Sequence, residues 1–172
     1  MGIASVYLSY YVKNSLTYYD NCHIMSLSNQ TVRRKITMNI QDYAIRISQN
    51  RTREGFTFDC QTINGEVEVL QIEVNGMNGF PIFLTKTQNQ ILCIVYLWSE
   101  DEVKPEKRTQ MLEMMLDTSI SIPLSAYARV GNRFVLYGAL SVNSNLDKVI
   151  EEIVTLNENA IDVVTAMEDF LK

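Results

Sequence analysis

Apolar and polar residues alternate in two distinct periods, and the period changes mark out the elements. From Asn39 to about Gln49, Ile40, Tyr43, Ala44 and Ile47 recur at helical spacing, and Arg51, Arg53 and Gly55 close the run. A period of two follows in Phe56–Cys60 and again in Val67–Val74. Asn64-Gly65 between them is a hairpin signal, because both residue types tolerate positive φ. A second turn, Asn75–Gly79, leads into Phe80–Leu84, where Pro81 suits a strand start or an edge.

Thr87–Gln90 turns the chain into Ile91–Trp98, the most apolar run. Its length and β-branched content predict a central strand covered on both faces. Pro105 suits the first turn of a second helix reaching about Thr118. Pro123 interrupts Ile120–Tyr127, which reads as a loop or short edge piece, and Gly131-Asn132 turns into a strand at Phe134–Leu140. Ser144 is the expected N-cap of a final helix, with Asp147 complementing its dipole.

The order is α-β-β-β-β-α-β-α. It predicts an α+β fold with about five antiparallel strands and helices packed on the sheet. Residues 38–172 read as one domain without repeat, linker or low-complexity tract.

In the last helix Leu146, Ile150, Ile153, Asn157, Ala160, Val164, Met167 and Leu171 step by four and three. Asp147, Glu151, Glu152, Glu158, Asp162, Glu168 and Asp169 are assigned to its outer face. Packing on the chain's own sheet is the simpler use of the stripe. The alternative is a partner or dimer seam at the far end, through Met167, Phe170 and Leu171, with Asn157 setting register. The second helix clusters Met111, Met114 and Met115 with Leu112 and Leu116. Flexible thioethers fill irregular cores and also suit adaptable binding grooves. Trp98 reads as a half-buried anchor beside the acidic turn Glu100–Glu102. These residues, Met111, Met114, Met115, Trp98, Met167, Phe170 and Leu171, are the candidate partner-binding set.

Charge divides the chain. Net charge is −5 over 172 residues, but residues 1–37 carry four basic side chains against Asp20, leaving −8 on the remainder. The first stretch also holds five of the nine tyrosines and lacks a sustained period, although Val6–Val12 could form a strand. It reads either as a tyrosine-rich arm or as leader ahead of a true start at Met38. Arg33-Arg34-Lys35 can be encoded by AGG-AGA-AAA, which resembles a ribosome-binding site. An acidic balance argues against a phosphate backbone as partner.

Candidate chemistry is thin. The single histidine is His23, so 38–172 lacks the usual proton shuttle, nucleophile partner and metal ligand. Ser121, Ser125 and Ser141 lie in no nucleophile elbow, and a Ser–Lys pairing with Lys104 or Lys107 has no supporting spacing. Cys22, Cys60 and Cys93 show no metal-ligand spacing, and the last two read as buried thiols. Gly76, Gly79 and Gly138 make no phosphate loop; Gly138 reads as a site of close backbone approach or a bulge. Glu100, Asp101 and Glu102 lack the spacing of a calcium loop and read as a solvated turn. No apolar run reaches the about 18 residues of a membrane span. No cofactor or metal is expected.

Several stretches together resemble the YjfI family of small bacterial proteins: Tyr96-Leu97-Trp98 with its acidic turn, Ile122-Pro123-Leu124-Ser125, Leu136–Ser141, and Glu151-Glu152-Ile153 through Leu156 to Asn159-Ala160. The resemblance covers about 38–172. Members of the family typically begin near Met38. The resemblance carries no catalytic residues and implies association. The family's genes tend to lie beside those of phage-shock-protein A-like coiled-coil proteins, and its architecture looks like that of secretion chaperones. The expectation is therefore a cytoplasmic, non-enzymatic adaptor or chaperone-like module. The expected partner is a protein, either a second copy of the chain or a phage-shock-protein A-like coiled coil, with no nucleic acid and no membrane insertion. The alternatives are a small-molecule or lipid sensor with a pocket between sheet and helices, and an enzyme using carboxylates and a lysine.

Overall fold

The computed structural model describes residues 38–172, so the readings made on residues 1–37 lie outside it. Helix α1 (Ile40–Ser48) starts on a reciprocal cap. The Asn39 side chain accepts from the Asp42 amide at 2.8 Å, and the Asp42 carboxylate accepts from the Asn39 amide at 2.9 Å. Its four apolar residues, Ile40, Tyr43, Ala44 and Ile47, are all buried.

An antiparallel meander follows: β1 (Thr57–Ile63), β2 (Val69–Asn75), β3 (Ile82–Lys86) and β4 (Gln90–Ser99). Gly76 holds the β2–β3 turn at φ 94°, a conformation open mainly to glycine. Two short 3₁₀ turns, Glu100–Glu102 and Pro105–Lys107, lead into α2 (Arg108–Ser119). Then come β5 (Ala126–Val130), β6 (Arg133–Ser141) and α3 (Leu146–Met167), which ends in a 3₁₀ turn, Glu168–Phe170. The cap of α3 is Asn145, whose side chain accepts from the Lys148 amide at 3.0 Å; the expected cap, Ser144, lies one residue outside.

Among the described residues the sheet has six strands in the order β1-β2-β3-β4-β6-β5, each neighbouring pair antiparallel. The additional strand is β5. Among the described residues it is an edge, paired with β6 alone, and its residues are mostly half-buried, so it carries no strong apolar alternation.

The three α-helices of the described residues contribute to one core on one face of the sheet. There Tyr43, Ile47, Met111, Ile153 and Leu156 meet Leu70, Ile72, Leu84, Cys93 and Leu136. On the other face Val69, Ile94, Val130 and Val135 form a smaller cluster with Phe83, Tyr96 and Tyr137. Among the described residues that cluster is made of strand residues alone, so the expected two-sided cover of β4 by other elements is seen on one side. A register shift in β4 between Tyr96 and Ser99 breaks the alternation. Trp98 accordingly joins the helix-side core, its ring centroid 5.8 Å from that of Phe134.

The chain end is fastened to the turn after β4. Leu171 bridges Val103, the Lys104 amide donates to the Phe170 carbonyl at 2.9 Å, and the Lys172 amide donates to the Glu102 carbonyl at 2.8 Å. Lys104 and Lys107 donate their ammonium groups to the Asp169 carbonyl at 3.1 and 3.0 Å. These bonds satisfy carbonyls that a helix end would otherwise leave orphaned.

Candidate functional site

Helix α3 lies on β4 and β6, and its inward stripe is not wholly apolar. Glu152, Asn157 and Asn159 are buried with it. Burying such groups is costly unless each finds a partner, and the three differ in what they find.

Asn159 is satisfied. Its amide nitrogen donates to the Pro123 carbonyl at 2.8 Å and to Ser125 Oγ at 2.9 Å, pinning the segment between α2 and β5. Asn157, 1% exposed, donates to the Phe80 carbonyl at 3.1 Å, while its Oδ1 has no partner. That oxygen occupies the space over Gly79, where a β-carbon would fall 1.7 Å from it. A surface cavity of about 340 Å³ opens here between α3 and the β2–β3 turn, lined by Glu73, Gly76, Met77, Phe80, Pro81 and Asn157 among others.

Glu152 is 3% exposed and its Oε1 meets no donor. It sits over Gly138, at 1.4 Å from where a β-carbon would stand, so glycine is what makes room for it. The Leu124 carbonyl oxygen lies 3.1 Å from the same point. Burial, and secondarily the neighbouring Glu151, push the Glu152 carboxyl up to about 7. Across the β4–β6 register from Gly138 stands Cys93. Burial raises its thiol far above the usual range, and the Glu152 charge adds to that.

The segment between α2 and β5 presents the second feature. Leu116 is 77% exposed, Ile120 94% and Leu124 57%. Leu116 and Ile120 are four residues apart at the end of α2 and so share a face. Leu124 is held at φ 57°, the left-handed region that branched side chains seldom adopt. Beside it runs β5, an edge strand among the described residues.

The residues singled out in the sequence go elsewhere. Met111, Met115, Trp98, Met167 and Phe170 are buried in the chain's own core, and Met114 and Leu171 pack against it half-buried. The far end of α3 is occupied by the turn 101–104. Glu152, assigned to the outer face, points inward. Asn157 faces the β2–β3 turn. Glu100 pairs with Arg108 and Arg129, and the Glu102 carboxylate accepts from the Ser99 amide at 2.7 Å, so two of the three turn acids are engaged within the chain. Ser125 is held by Asn159, and the Ser141 hydroxyl accepts from the Asn143 amide at 3.2 Å. Lys104 and Lys107 are engaged at the chain end, away from these serines. Among the described residues no group of three or more His, Cys, Asp or Glu could hold a metal ion, and no helix is long and apolar enough to cross a membrane.

The sequence did carry a signal for Glu152. Val149, Glu152, Leu156, Asn159 and Val163 step by three and four, so both polar residues fall within an apolar stripe. The exposed Leu116 and Ile120 carry none, because an apolar residue at a helix end reads as core.

These features define an α+β protein, with three α-helices on one face of a six-stranded antiparallel sheet among the described residues. The chain belongs to the family described as "Uncharacterized protein conserved in bacteria (DUF2170)", whose model matches residues 37–171. No curated protein sequence matches it. Among solved structures, an uncharacterized protein from Methanothermobacter thermautotrophicus is similar at TM-score 0.52 and 15% identity, covering 77% of this chain and 96% of that one. That likeness is one of fold. A chain of the heterodimeric complex ExoU-SpcU from the type III secretion system of Pseudomonas aeruginosa matches at TM-score 0.48 and 13% identity, covering 74% and 96%. YbjN from E. coli, described as a putative transcription regulator, matches at 0.48 and 13%, covering 64% and 82%.

Proposed function

We propose that this chain is a non-enzymatic, cytoplasmic protein-binding module, an adaptor or chaperone-like domain whose working unit is residues 38–172. One observation carries the reading: Leu116, Ile120 and Leu124 stand exposed in a single stretch, next to β5, which is an edge strand among the described residues. Isolated exposed leucines are ordinary. Several large aliphatic side chains gathered beside an edge strand suit a partner that lays down a strand or an amphipathic helix.

The finer assignment rests on the resemblance to the YjfI family. It names a phage-shock-protein A-like coiled coil, in a membrane-stress setting, as the partner. The apolar seam of a coiled coil supplies the complementary surface for Leu116 and Ile120. The test is titration of the purified chain with such a coiled-coil protein. Wild type is expected to bind, and Leu116→Glu combined with Ile120→Glu to bind at least about tenfold more weakly, since buried aliphatic anchors carry a disproportionate share of binding energy. Absence of binding, or equal binding by the variant, contradicts the reading.

A second reading has one observation in its favour. The cavity at Asn157 falls within the size range of small-molecule sites, and the side chain lining it keeps an unpaired amide oxygen. A small-molecule sensor built there would gain thermal stability from its ligand, and Asn157→Ala would lose that gain.

A further inference from the structure

The segment that carries Ile120 and Leu124 is tied down at separate points. The Ser121 amide donates to the Thr118 carbonyl at 2.9 Å, and Asn159 holds Pro123 and Ser125 from α3. Between them stands Leu124, in a backbone conformation that something must hold in place. Its carbonyl oxygen and Glu152 Oε1 flank one small space over Gly138. Both are acceptors when the carboxyl is ionised, and the pair then repels. A neutral carboxyl carries an O–H that the carbonyl can accept.

We propose that Glu152 is a proton-linked latch: its neutral carboxyl donates to the Leu124 carbonyl and holds the 120–125 segment, and its ionisation releases that segment. The groups facing it agree with this. From its own helix comes Glu151, which disfavours the charge. From β4 comes the buried thiol of Cys93. From β6 comes Gly138, which has no side chain, and from the segment itself the Leu124 carbonyl. Among the described residues no lysine or arginine pairs with Glu152. The carboxyl titrates near 7, so a modest change of pH moves it.

The consequence for partner binding rests on the function proposed above, but the latch itself does not. It is therefore tested without a partner, by hydrogen exchange of the peptide spanning residues 119–127, corrected for the intrinsic pH dependence of exchange. In wild type, protection is expected to fall by about tenfold between pH 6 and pH 8, as the ionised fraction rises from about a tenth to about nine tenths. Glu152→Gln, which keeps a donor at every pH, is expected to stay protected throughout. Asn159→Ala is expected to exchange fast at both pH values and marks the released state. Protection in wild type that does not change with pH overturns the latch, as does a Glu152→Gln profile that follows wild type. A pH-dependent segment in a chain that fails to bind the coiled coil would overturn the proposed function alone.

Discussion

At the scale of single residues, two glycines in the sheet are defined by what α3 places on them. Gly138 seats Glu152 and Gly79 seats Asn157. Gly138→Ala should therefore destabilise the protein by about 2–4 kcal/mol, because a methyl group there must displace a buried carboxyl. Pairing it with Glu152→Ala should recover part of that loss in urea melts. Glu152 also sets a pH dependence with a definite sign. Its carboxyl is raised in the folded chain, so at low pH both states are protonated and nothing is lost. As pH climbs from about 4.5 to about 7, the unfolded chain ionises first, and stability falls. The fall should be about 2–3 kcal/mol between pH 4.5 and pH 8, and Glu152→Gln should flatten it. Gly138 was legible in the sequence as a place of close approach. What approaches it was not, because glutamate is charged in water and is read as outward unless the stripe around it is traced residue by residue.

At the scale of elements, α1, β1, β2 and α3 followed from periodicity, while α2 was marked by Pro105, β3 by the turn before it and β4 by its unbroken apolar run. Strand β5 did not. It lies on an edge, is half-buried, and follows Pro123, so neither period is visible in it. The end of α3 was the other divergence. Its apolar residues were candidates for a partner, yet the backbone bonds from turn 101–104 fasten Met167, Phe170 and Leu171 onto the chain's own core. Sequence separation of some 65 residues hides that contact from any local pattern. Phe170→Ala is expected to cost about 3 kcal/mol by opening a cavity beneath the turn, measured as a lowered midpoint of chemical unfolding. Asn145→Ala, which removes the cap of α3, should cost about 1 kcal/mol, and Ser144→Ala much less.

At the scale of the whole fold, the described residues form one sheet with three α-helices on one face and β1 and β5 as its edges. The core consumes the methionines and the tryptophan that the sequence offered as contacts. The surface we propose for a partner is smaller and sits where α2 gives way to β5. Its aliphatic side chains contribute little to folding. Leu116→Glu and Ile120→Glu should therefore change stability by no more than about 0.5 kcal/mol while weakening association by at least about tenfold. That separation of folding from binding is what a functional surface requires, and composition alone could not have located it. The decisive measurement is calorimetric titration of the full chain and its folded Ile120→Glu variant with a purified phage-shock-protein A-like coiled coil at pH 6. The account predicts saturable binding by wild type and at least about tenfold weaker binding by the variant. Indistinguishable isotherms, or no heat of binding from either, would contradict it.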